Sequence, residues 1–115
     1  MNIIIKTKNF ELTPAIREFT EKKIGSLEKY FNLLQQDDNP ELAPKTEVII
    51  EVGKTTMHHR KGEIFRAEVL ITFYDKKIRA AKSADDLQKA IVEVRDDLQR
   101  QITDIKEKMI DQKRK

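Results

Sequence analysis

Residues 63–91, EIFRAEVLITFYDKKIRAAKSADDLQKAI, change period within one short stretch, and that change decides the fold. From Glu63 to Phe73 the apolar side chains fall at every second position, with Phe65, Ala67, Val69, Ile71 and Phe73 on one side. Such alternation marks a strand with one buried face. Tyr74-Asp75-Lys76-Lys77 reads as a turn, and Ile78 to Lys82 as the next strand. Ser83 and Asp86 then stand in the S-x-x-D spacing of a helix start. After them the apolar spacing becomes three or four: Leu87, Ile91, Val94, Leu98, Ile102, Ile105 and Met109. The pattern predicts a long amphipathic helix to about Ile110, with DQKRK, residues 111–115, as a basic fray.

Working outward, Thr46 to Val52 also alternates, with Val48, Ile50 and Val52 facing one way and Glu47 and Glu51 the other. It joins the later strand through GKTTMHHRKG, residues 53–62, a connection longer than a tight hairpin needs. Upstream, Gln35 to Pro44 is a polar, turn-rich segment. Before that, Thr13-Pro14 supplies a capping residue and a proline at the first helical position. Ile16, Phe19, Leu27, Phe31 and Leu34 follow at helical spacing, with Ile24 at the margin of the stripe, so one helix is expected over about 14–34. The β-branched run Asn2 to Lys6 is a first strand. The predicted order is β-α-β-β-β-α. An antiparallel four-stranded sheet with two helices on one face would bury every stripe, which makes an α+β domain over residues 1–110.

Composition excludes several kinds of chemistry. The 115 residues contain no cysteine, so disulfides, thiolate zinc sites and cysteine nucleophiles are ruled out. No glycine-rich phosphate loop and no G-x-S-x-G elbow is present. His58 and His59 are the only histidines, and neighbours on an extended segment point to opposite sides, which is poor geometry for a metal. The pairs Asp37-Asp38 and Asp85-Asp86 read as turn and helix-start residues. The sequence therefore predicts no catalytic centre, no metal and no cofactor. No stretch approaches the roughly 18 apolar residues of a membrane span, and the apolar run at the amino terminus is too short for a signal peptide. A soluble, cytoplasmic protein is expected, without a membrane or a small-molecule substrate as partner.

The net charge is +3 from 23 bases and 20 acids, so a basic surface must come from sorting charges. Projected at about 100° per residue, Gln88, Arg95, Gln99, Lys106 and Lys113 share an acid-free band beside the apolar stripe of the second helix. Asp85, Asp86, Glu93, Asp96, Asp97, Asp104 and Glu107 take its outer face, mixed with Lys89, Arg100 and Lys108. On the first helix Lys22, Ser26 and Lys29 form a similar edge, with Lys23 bordering the buried side. Lysines beside an apolar stripe commonly lay their stems along it and keep their ammonium groups in water. The alternative is a surface that holds phosphates.

Two segments together carry a family resemblance. LTPAIREFTEKKIGSLEKYF, residues 12–31, and DDLQKAIVEVRDDLQRQITDIKEK, residues 85–108, resemble the ribosome hibernation-promoting factor and ribosome-associated inhibitor A family. GEIFRAEVLI and KIRAA fit that family's strands. The resemblance implies a fold like a double-stranded-RNA-binding domain. It also implies a non-enzymatic translation inhibitor on the small ribosomal subunit, in the channel used by messenger and transfer RNA, acting in starvation or stationary phase. Because the chain ends soon after the second helix, it looks like a short form without the domain that pairs ribosomes.

By position, Lys22, Lys23 and Lys29 match the family's basic residues on the first helix, and Arg100, Lys106 and Lys108 those on the second. These six are the expected ribosomal-RNA contacts. Ser26 stands where a lysine is usual, Gln88 where the family has tyrosine, and Asp97 and Asp104 where it has bases. The acid-free band through Arg95, Lys106 and Lys113 offers another route to the same RNA, with the domain docked slightly rotated. A general double-stranded-RNA or ribosome-assembly module is the alternative function. A protein-binding regulator using Ile49, Ile64 and Leu70 on the outer sheet face is a further one.

Overall fold

A computed structural model describes residues 1–34, 45–55 and 64–113. The predicted turn segment 35–44, with Asp37 and Asp38, lies outside the described residues. So do the strand's first residue Glu63 and the loop bearing His58, His59, Arg60 and Lys61.

The elements are β1 (Asn2–Lys8), α1 (Pro14–Gly25), α2 (Glu28–Asn32), β2 (Thr46–Thr55), β3 (Ile64–Phe73), β4 (Lys76–Ala84) and α3 (Leu87–Lys113). The strands form one sheet in the order β1-β2-β3-β4. The predicted α+β class and four-stranded sheet with helices on one face hold. The expected wholly antiparallel pairing does not. β2–β3 and β3–β4 are antiparallel, but β1 pairs parallel to β2, with Ile4 opposite Ile49. The reason is the connection: the chain leaves β1, crosses the sheet as helix, and enters β2 from the end where β1 began.

The predicted single helix over 14–34 is two. Thr13 caps α1 by accepting from the Ile16 amide at 3.2 Å, and Pro14 occupies the first turn. The ladder then breaks at Ser26-Leu27, where Ser26 Oγ donates to the Lys23 carbonyl at 2.6 Å. That local bond competes with helix continuation. Ile24, placed at the margin by spacing alone, is fully buried in the core with Leu27 and Phe31. Thr20, unassigned from sequence, is also buried, its hydroxyl donating to the Ile16 carbonyl at 2.8 Å.

The predicted capping box does not form. Ser83 pairs with Arg66 in the β3–β4 ladder, which runs on to Ala84. Asp86 alone caps α3, its Oδ1 accepting from the Gln88 amide at 3.0 Å. α3 continues to Lys113, through three of the five residues expected to fray. β3 and β4 meet at Tyr74-Asp75, where Tyr74 takes a positive φ of 51° without being glycine. Its ring leans on Phe73 with centroids 6.4 Å apart.

One core lies between sheet and helices. Val48, Ile50, Val52, Ala67, Val69, Ile71, Phe73, Ile78 and Ala80 come from the sheet. Ile24, Leu27, Phe31 and Leu34 come from the first helical segment, and Leu87, Ala90, Ile91, Val94, Leu98 and Ile102 from α3. Phe31 and Phe73 meet edge-on at 5.0 Å. Among the described residues no helix covers the other sheet face. There Ile4, Ile49 and Leu70 sit in register across three strands, with Ile4 49% and Ile49 39% exposed.

Candidate nucleic-acid interface

Packing both helices on one face puts their edges side by side, with α1 and α2 each against α3. The seam between them is where the two acid-free edges meet. Lys22 and Lys23 lie in the last turn of α1 and Lys29 in α2, all three exposed. Lys23 Nζ stands 5.7 Å from the centre of the Phe19 ring, and Lys29 Nζ 5.2 Å from that of Tyr30. Each ammonium thus rests on an aromatic face, a weak electrostatic support at an exposed site, and stays open to a ligand.

Across the seam, Arg95 is the residue that ties the edges together. Its Nε donates to Ser26 Oγ at 3.1 Å, and its Nη1 donates to Gln99 Oε1 at 2.6 Å and to Asp96 Oδ1 at 3.2 Å. The Arg95 side chain is only 21% exposed. Ser26 therefore does two jobs at the helix break, closing the end of α1 and accepting from α3. A lysine here, as the family resemblance would have it, is donor-only and could not accept. The exchange removes one base from the surface and fixes another.

The six residues expected from the resemblance do not form one cluster. Lys22, Lys23 and Lys29 share the α1–α2 edge, and Lys106, half-buried, projects to the Arg95 side of α3. Arg100 lies well round the helix from Arg95, roughly 140° at 100° per residue. It is 71% exposed and donates to Asp97 Oδ1 at 2.7 Å. Lys82, Glu93, Asp96, Asp97 and Arg100 line one groove beside β4, so Arg100 faces a mixed, acid-rich wall. Lys108 lies at a third place, where Lys76, Lys77, Ile105 and Met109 line a concavity at the β3–β4 turn. Lys76 and Lys77 were read from sequence as turn residues only. Nothing local shows that a helix end 30 positions later would stand beside them.

Among the described residues no three histidine, cysteine, aspartate or glutamate side chains gather as a metal site. No described helix is long and apolar enough to cross a membrane. An apolar recess of about 300 Å³ between Phe10, Ile16, Phe19, Phe65, Leu87 and Ile91 is rimmed by Asp85 and Asp86, whose carboxylates oppose a phosphate.

The sequence profile described as Sigma 54 modulation protein / S30EA ribosomal protein matches residues 3–110. The chain belongs to that family. Among curated relatives, a "Ribosome hibernation promotion factor" of Bacillus subtilis is 29% identical over 91 residues, 79% of this chain and 41% of that protein. A "Ribosome hibernation promoting factor" of Salmonella typhimurium is 34% identical over 64 residues, 56% of this chain and 64% of that one. The match thus spans less than two thirds of either relative. Among solved structures, the crystal structure of the Thermus thermophilus Protein Y N-terminal domain superposes with a TM-score of 0.68 at 24% identity. The superposition covers 91% of this chain and 99% of that domain. A ribosomal subunit interface protein from Coxiella burnetii gives 0.66 at 19% identity, covering 92% and 98%. The S30EA fold is therefore that of this chain, mixed sheet included.

Proposed function

We propose that this S30EA-family domain is a ribosome hibernation factor that binds ribosomal RNA of the small subunit and stops translation by occupying the path of messenger and transfer RNA. The names of its curated relatives support ribosome hibernation as the activity. The observation that carries the docking surface is the Arg95–Ser26 bond, which joins two acid-free edges into one basic seam. Lys22, Lys23, Lys29, Arg95 and Lys106 are the residues that meet phosphates there. Arg100 and Lys108, on other flanks of α3, are secondary contacts. Inhibition needs no reaction: a rigid domain held by charge in an RNA-lined channel excludes the normal occupants by volume.

Each phosphate contact adds salt-sensitive affinity, with log K falling by roughly 0.7–0.9 per decade of salt for each phosphate neutralised. Co-sedimentation with purified small subunits across a salt series tests this, with free duplex RNA as competitor. Salt-sensitive pelleting that duplex RNA does not displace is the expected result. Equal affinity for duplex RNA would instead make the chain a general double-stranded-RNA module. The double variant Lys22→Glu/Lys29→Glu should keep its thermal transition and lose the pellet. An unchanged pellet would remove the α1–α2 edge from the interface.

A further inference from the structure

Arginine carries five N–H donors and no acceptor, so whatever lies against it must present oxygen. In Arg95, Nε and Nη1 are taken by Ser26, Gln99 and Asp96. Nη2 has no partner among the described residues. Because Gln99 turns its oxygen to Arg95, its amide NH2 is left as a donor, and it too has no partner among them. Two donor groups on adjacent turns of α3 are thus left unclaimed at the seam. Both are half-buried and held in place, with Lys106 on the same band.

We infer that Arg95 Nη2 and Gln99 Nε2 form one preorganised seat for a non-bridging oxygen pair of an RNA phosphodiester. This assignment rests on the ribosome-binding function proposed above and names the atoms at its centre. The seat differs in kind from the lysines around it. A lysine is a mobile point charge, whereas a guanidinium fixed by Ser26 and Gln99 offers a directional donor whose rotamer entropy was lost on folding. Arg100 fails the same test: it is mostly exposed, and the Nη2 it would offer is already bonded to Asp97. Asp96 is the group that opposes the seat. Its carboxylate lies 3.2 Å from Arg95 Nη1 but is 62% exposed, so this pair is weak and yields to a phosphate.

The test uses the full chain and small subunits, with binding measured across a salt series. Gln99→Glu keeps an oxygen on Arg95, so the latch to α1 survives, but it deletes the amide donors and places a charge against the phosphate. Affinity should fall about tenfold or more, the scale of a hydrogen bond to a charged group. Arg95→Gln should lower the salt slope by one contact, about 0.7–0.9, and Asp96→Asn should tighten binding. Lys89→Gln, which removes a positive charge from the outer face, serves as the control. In parallel, the Gln99 side-chain amide and Arg95 Nε–H resonances are followed by NMR as a uridine decamer, or inorganic phosphate, is added. Saturable shifts with the decamer and only weak shifts with phosphate support an RNA backbone as the ligand. Equal response to both would mean a simple anion site and overturn the assignment. If wild type pellets while Gln99→Glu and Arg95→Gln bind within twofold of it at every salt, the seat is wrong and the function stands. If wild type does not pellet even at low salt, both fall.

Discussion

Arg95 and Arg100 differ by five positions and by everything that decides what an arginine can do. Arg95 is held by Ser26, at the break between α1 and α2, as well as by Gln99 and Asp96 of its own helix. Arg100 is held only by Asp97, one turn back, among the described residues. Charge reversal separates them. Arg95→Glu should abolish co-sedimentation with small subunits, while Arg100→Glu should cost only a fewfold in affinity. The reverse result would return the contact to the position inferred from family resemblance. The acid-free bands were legible in the sequence, since a 100° projection needs only residue order. That the bands touch was not legible, because Ser26 and Arg95 are 69 positions apart and only the packing of α1 on α3 brings them together. Alignment by resemblance gave Arg100 priority because it matches residue type and cannot see that Asp97 has occupied the guanidinium.

At the scale of elements, the helix faces and strand alternation were readable and the breaks were not. A spacing of three and four from Ile24 to Leu27 to Phe31 passes smoothly across Ser26, so periodicity alone drew one helix where there are two. Gly25, the last residue of α1, was the available signal. Beyond its chain neighbours and its own helix backbone, no described heavy atom lies within 4 Å of the place its Cβ would take, and its φ is not in the left-handed region. Gly25→Ala should therefore stabilise the domain by about 0.5–1 kcal/mol through a smaller loss of backbone entropy. Removing the cap at the other end should do the opposite: Thr13→Ala is expected to cost about 1 kcal/mol. Chemical denaturation of both variants checks the pair, and a destabilised Gly25→Ala would show that the break needs glycine. In α3, Leu98→Ala empties a fully buried site and should cost about 2–5 kcal/mol.

For the molecule as a whole, the two-layer α+β architecture followed from stripes that had to face one another, and it holds. Strand direction did not follow, because a strand's alternation is the same whichever way its neighbour runs. The helical crossover between β1 and β2 was the only clue, and its consequence is one of time. β2 pairs with β3 and β3 with β4 across short connections, whereas Ile4 must find Ile49, 45 positions on, with α1 and α2 between them. Closing so long a loop is entropically dearer than closing a hairpin, and long-range pairings form slowly. β1 also has a neighbour on one side only. It should therefore be the last strand to arrive and the first to leave, and hydrogen exchange can measure that order. Amides of β1 should exchange faster than those of β3, the strand bracketed on both sides, so that the domain opens like a door hinged at its centre.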